Sequence, residues 1–146
     1  MMSVNVSQDF SRVLAIDFGE KRIGTALCDP LKIFSYPFKT LVNDNSVIDE
    51  IKKIIIEKEI SLIVLGIPSD VDNPNSIRNN ILKFKAKIQN TFKLAVILWD
   101  ESFTSYIAQE KVLQSVSKKS KRRDKGLVDN NSAAIILQEY LNSVKK

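Results

Sequence analysis

At 146 residues, 44% of them hydrophobic and 27% charged, the chain suits one core and leaves no room for a second, so a single domain over residues 1–146 is expected. It contains no histidine and Cys28 is its one cysteine, which excludes an intramolecular disulfide, a Cys/His zinc site and any Ser-His or Cys-His nucleophile pair. The net charge of +5 is local: Lys118, Lys119, Lys121, Arg122, Arg123 and Lys125 accompany only Asp124, and the charges elsewhere cancel. That run reads either as a polyanion contact or as a solvated loop.

Residues 1–12 hold no apolar run, so no secretory signal is expected. The apolar stretches are strand-sized, well short of the roughly 20 residues that cross a bilayer, which points to a soluble cytoplasmic protein without membrane contact. Arg12 to Phe18 (RVLAIDF) reads as a buried strand, Gly19 to Arg22 as a tight turn, and Ile23 to Cys28 as the returning strand of a hairpin. Ile33 to Thr40 predicts a third strand, in which Pro37 requires an edge position or a bulge. A helix follows from Ser46 to Lys58, with Val47, Ile51, Ile54 and Ile55 on one face.

Leu62 to Ile67 (LIVLGI) is the most apolar run and predicts a central parallel strand. Pro74 behind Asn73 reads as the start of a second helix carrying Ile77, Ile81, Phe84 and Ile88. Leu94 to Trp99 predicts another buried strand, ended by Asp100 and Glu101. A third helix is expected from Thr104 to Val116. A last one begins near Asp129, with Ala133, Ile136, Leu137, Tyr140 and Leu141 spaced along one face. This order predicts an α/β fold: a mixed five-stranded sheet flanked by helices, with an antiparallel hairpin joined to parallel units.

Three acids stand out by position. Asp17 ends the first strand, where an apolar run should carry no charge and an acid needs a partner. Glu101, with Asp100 before it, lies past the end of a central strand, and Asp129 precedes the core-facing Ala133 by one helical turn. Ligands of open α/β sheets gather beyond the carboxyl ends of parallel strands. Acids clustered there would repel one another unless a cation intervened, and oxygen ligands favour Mg²⁺ or Mn²⁺. Two such ions about 4 Å apart could support phosphodiester cleavage. Each acid also has a plainer reading: Asp129 as a helix N-cap, and Asp100 and Glu101 as loop-entry residues. Lys21 and Arg22, in the turn after Gly19, read either as phosphate contacts or as ordinary hairpin charge. Trp99 and Phe103 read as core residues rather than base-stacking surfaces, and Cys28 as a small buried hydrophobe.

The stretch AIDFGEKRIGTALCDP (Ala15 to Pro30) resembles the opening motif of the YqgF-type, or RuvX, Holliday junction resolvases. LIVLGIPSDVD, WDESFTSYIAQEKV and KGLVDNNSAAIILQEYL are similar to that family's later motifs, in the same order over nearly the whole chain. The resemblance implies a ribonuclease H-like fold and a nuclease site in which Asp17, Glu101 and Asp129 hold Mg²⁺ or Mn²⁺, with Asp100 assisting. On that reading Lys21, Arg22 and the Lys118–Lys125 segment are expected to hold the nucleic-acid backbone by phosphate contact. The implied substrate is the 5′ end of pre-16S ribosomal RNA or a branched DNA junction, and cutting both strands of a junction would call for a homodimer. Ser102 replaces an arginine frequent after Asp-Glu, and Asp70 to Pro74 replaces a Gly-rich loop; both departures fall on substrate contacts rather than on the acids. Two other readings stand beside this one. Asp17-Phe18-Gly19 also resembles the phosphate-binding start of actin-like ATPases, which are generally longer and two-domained. A nuclease-like fold could also serve as a non-catalytic nucleic-acid or ribosome-assembly module.

Overall fold

In the computed structural model the described residues are 10–68, 77–101 and 125–144, and for 125–131 the backbone alone is described. Five strands form one sheet: Arg12–Asp17 (β1), Arg22–Cys28 (β2), Ser35–Val42 (β3), Ile60–Ile67 (β4) and Ala95–Asp100 (β5), in the order β3-β2-β1-β4-β5. β2 runs antiparallel to β1 and β3, whereas β4 and β5 run parallel to β1. The helices are Val47–Glu57 (α1), Ile77–Phe92 (α2) and Lys125–Ser143 (α3).

The period-two alternation of the strands divides the core between the two faces of the sheet. Leu14 and Ile16 of β1 and Ile63, Leu65 and Ile67 of β4 pack with Val47, Ile51 and Ile54 of α1 and with Ile81, Phe84 and Ile88 of α2. Val13 and Ala15 of β1, Ala26 and Cys28 of β2 and Val64 of β4 pack with Ala133, Ile136, Leu137 and Leu141 of α3. The α3 face is thus built from smaller side chains, which lets the helix lie close to the strands. Full burial of Ile136, Leu137 and Leu141 stabilises this contact by roughly 1.5–3 kcal/mol per side chain.

Pro37 meets both conditions that its sequence sets. β3 is an edge strand, and its pairing shifts between Gly24↔Thr40 and Ala26↔Pro37, where β3 carries the extra residue of a bulge. The third strand begins at Ser35 rather than Ile33, and Asp29 is the reason. Its carboxylate accepts the backbone N–H groups of Leu31 (3.1 Å), Ile33 (2.7 Å) and Phe34 (2.7 Å), so these amides close a turn instead of extending the ladder. Cys28 is fully buried, as its neighbours imply. One step beyond the Leu14↔Leu27 pair, its Sγ accepts the Val13 N–H at 3.2 Å.

The last helix already includes Lys125, one turn before Asp129. Asp129 therefore lies a turn inside α3, and its reading as an N-cap is withdrawn. The expected start of α2 at Pro74 with Asn73 as its cap, and the expected helix from Thr104 to Val116, lie outside the described residues. Among the described residues no helix is long and apolar enough to cross a membrane.

Candidate active site

The parallel strands β1, β4 and β5 end on the same side of the sheet, and Asp17, Asp100 and Glu101 lie there. β1 and β4 pair through Ile16↔Leu65, so one residue further along come Asp17 on β1 and Gly66 on β4. Gly66 pairs in turn with Trp99 of β5. Asp17 follows Val13 and Ala15 in the alternation that faces α3, and it is half-buried.

Glu101, the residue after β5, folds back over β4. A methyl group built on Gly66 would lie 2.8 Å from Glu101 Oε2, 3.0 Å from its Cδ and 2.7 Å from Ile136 Cδ1 of α3. The bare backbone of Gly66 is thus the surface on which the Glu101 carboxylate rests, under the flank of α3. Burial, and then the neighbouring Asp100 charge, raise the Glu101 pKa from an ordinary 4.5 to about 7. Asp100 itself is exposed, in register with Ile67.

The structure therefore brings Asp17 and Glu101 to one end and one face of the sheet, with Asp100 adjacent. Asp129 occupies α3 one turn before the buried Ala133 and two turns before Ile136, and its side chain lies outside the described residues. Among the described residues no group of three or more His, Cys, Asp or Glu could by itself hold a metal ion. What is present nevertheless fits a hard divalent cation. The donors are carboxylate oxygens, one of them has its pKa raised to about 7 by burial and by the Asp100 charge, and it sits in a recess that a single Cβ would fill.

Lys21 and Arg22 are exposed on the β1–β2 turn, close in sequence to Asp17. The turn is narrow: a Cβ on Gly19 would collide with the Arg22 carbonyl oxygen, so glycine is required. Asn43, just after β3, braces it from both sides. Its side-chain amide donates to the Gly19 carbonyl at 2.8 Å, and its backbone N–H donates to the Lys21 carbonyl at 2.9 Å. Of the basic segment, Lys118, Lys119, Lys121, Arg122 and Arg123 lie outside the described residues, and Lys125 is described only as the first backbone position of α3.

Sequence reasoning passed over Gly66 and Asn43. Gly66 did carry a signal, since an isolated glycine inside a strand pattern marks a close approach by another group. Asn43 carried none, because its partners are 24 residues away at the nearest side-chain contact. Trp99 is half-buried against the core and meets Tyr140 edge-on at 5.9 Å between ring centroids, in keeping with its structural reading. Phe103 lies outside the described residues.

A cavity of about 290 Å³ lies on the opposite face, lined in part by Asp44, Phe84 and Lys87. Its one carboxylate is engaged, since Asp44 Oδ1 accepts the Ser46 backbone N–H (2.9 Å) and hydroxyl (2.6 Å).

A family model described as RuvX: Holliday junction resolvase matches residues 11–143. The chain belongs to this family. A protein of Azobacteroides pseudotrichonymphae named "Putative pre-16S rRNA nuclease" is 40% identical to it over 137 residues, covering 92% of this chain and 99% of the relative. A protein of the same name from Porphyromonas gingivalis is 39% identical over 134 residues, covering 90% and 96%. Among solved structures, Thermus thermophilus RuvC in complex with Holliday junction substrate aligns with a TM-score of 0.58 at 10% identity, over 92% of this chain and 96% of that one. The fowlpox virus resolvase bound to junction DNA aligns at 0.52 and 14% identity, over 92% and 99%. At such identities the structural likeness speaks for the fold, which is the ribonuclease H-like architecture of the RuvC resolvases. The RuvX motifs in the sequence and the RuvC-like sheet in the structure thus agree.

Proposed function

We propose that this RuvX-family chain is a metal-dependent nuclease that hydrolyses phosphodiester bonds in structured nucleic acid, with pre-16S ribosomal RNA as its principal substrate. The observation that carries this reading is the convergence of Asp17 and Glu101 from the carboxyl ends of β1 and β5, the parallel strands on either side of β4, with the Glu101 carboxylate seated on Gly66 of β4. The choice of substrate is supported by relatives of nearly the same length that bear that name, whereas the junction-bound structures share only the fold.

In this reading Asp17, Glu101 and Asp129 hold Mg²⁺ or Mn²⁺, with Asp100 assisting. Such an ion, when bound, lowers the pKa of water and stabilises the charge that develops on a phosphate under attack. The chain's own residues do the rest. Asp17 and Glu101 supply negative charge at a fixed place because both stand at the ends of sheet strands rather than on free loops. Lys21 and Arg22, on a turn held rigid by Gly19 and Asn43, bind the phosphate backbone beside that place and give affinity with little sequence choice. The basic run from Lys118 to Lys125 extends that contact. Acting on a four-way junction would require two copies of the chain, since two strands must be cut.

Cleavage of a pre-16S rRNA transcript and of a four-way DNA junction, each with Mg²⁺ or with EDTA, tests the assignment. The RNA is expected to be cut by the wild type only with the metal, and Asp17→Asn is expected to reduce cutting to background. Equal cutting by the variant would refute the site.

A further inference from the structure

At Gly66 three elements meet at van der Waals range or closer: its own strand β4, the residue that follows β5, and α3. A single methyl group there would overlap both Glu101 and Ile136, at 2.8 Å and 2.7 Å, distances that real Cβ atoms do not show. Both obstructions are far ends of flexible side chains, but they differ in consequence. Ile136 Cδ1 can turn aside or be shortened without touching an acid. The Glu101 carboxylate can turn aside too, since only the backbone beside it is anchored, through Asp100 in the β5 ladder opposite Ile67. Its displacement would move the acid away from the end of β1, where Asp17 stands.

We propose that Gly66 is a positioning residue of the metal site: its missing side chain is the seat that holds the Glu101 carboxylate against the sheet, level with Asp17. The same gap admits Ile136, so the helix that carries Asp129 is docked at the point where Glu101 rests. The inference depends on the nuclease reading given above, but its geometric half can be tested without metal.

The test uses Gly66→Ala, Ile136→Val, Glu101→Ala and their combinations in the full chain, with two measurements. The first is stability by urea denaturation in EDTA. Gly66→Ala is expected to destabilise the wild type, and clearly less in the Ile136→Val and Glu101→Ala backgrounds, because each removes one obstruction. Identical losses in all backgrounds would show that the contacts are absent and would overturn the proposal. The second is Mn²⁺ affinity by calorimetry. Gly66→Ala/Ile136→Val is expected to recover the stability of Ile136→Val in large part yet bind Mn²⁺ at least about tenfold more weakly than Ile136→Val, which itself binds like the wild type. Recovery of Mn²⁺ binding together with stability would reduce Gly66 to a packing residue and overturn its role at the site. Failure of the nuclease reading looks different: the stability coupling would appear as expected, but the wild type would bind Mn²⁺ no better than Asp17→Asn. That result also removes the positioning role while leaving the contact intact.

Discussion

Glu101 has a pKa near 7 because the folded protein buries it and places Asp100 beside it. The sign of its contribution follows from proton counting. Its folded pKa lies above its unfolded value, so between about pH 4.5 and 7 the native state binds more protons than the unfolded chain. Stability in the absence of metal is therefore expected to fall as pH rises through that window and to level off above it, by an amount on the order of 3 kcal/mol. Glu101→Gln removes the ionisation. It is expected to exceed the wild type in stability at pH 8 and to match it near pH 4.5, as read from denaturation midpoints in EDTA. Added Mg²⁺ at pH 8 is expected to reverse the order, because only the wild type gains a ligand. Parallel pH profiles for the two proteins would show that the acid is not held as described. Asp29 shows the opposite case. Slight burial works against its charge, but the N–H groups of Phe34, Ile33 and Leu31 outweigh that and hold its pKa below the ordinary carboxylate value. One carboxylate is thus stabilised in its charged form by its own turn, and the other is disfavoured in that form by burial and by its neighbour.

At the scale of elements, α2 ends with Lys93 in the left-handed region (φ 58°), its N–H donating to the Gln89 carbonyl at 2.9 Å. An L-residue with a long side chain adopts that conformation at a cost of roughly 1 kcal/mol, which asparagine largely avoids. Lys93→Asn is expected to raise stability by about 0.5 kcal/mol, visible as a shift in urea midpoint without a change in slope; an unchanged or lowered midpoint would contradict it. Boundaries of this kind are where sequence reading was weakest. Periodicity located α1, the described part of α2 and all five strands, because the apolar spacing of each is local. It misplaced the start of β3, since the three amides that Asp29 captures look from the sequence like strand residues. It also misplaced the start of α3, since the basic run before it carries no apolar stripe. Asp17 was legible as a lone acid at the end of an apolar run, and Glu101 as an acid after one. Gly66 carried the local mark of an isolated strand glycine but nothing that named its partners, and Asn43 carried no mark, because both act on groups that only the fold brings near.

Taken together, the described residues form a sheet between two unlike helical layers, and the unlikeness has an effect. The face toward α1 and α2 is filled by large branched side chains, while the face toward α3 is lined by Ala15, Ala26, Cys28 and Val64, with Gly66 at its upper end. Strand order follows from the motifs only through the family resemblance; the physical pattern alone specified a mixed sheet and left the neighbours open. Cys28 belongs to this close-packed face and offers a reporter of its opening. Burial raises the pKa of its thiol, outweighing the Val13 N–H that acts in the other direction. Its reaction with an aromatic disulfide reagent is expected to be at least about 10³-fold slower in the native protein than in urea. Immediate reaction without denaturant would show that α3 does not cover it.

That single sequestered sulfur also makes the molecule its own stopwatch. Every other position is free of thiols, so the chain needs no cysteine-free background before a probe is attached: one new surface cysteine would take a fluorophore while the native one stays silent. The rate at which Cys28 finally reacts would then time how often the helix lifts from the sheet, with and without nucleic acid in place.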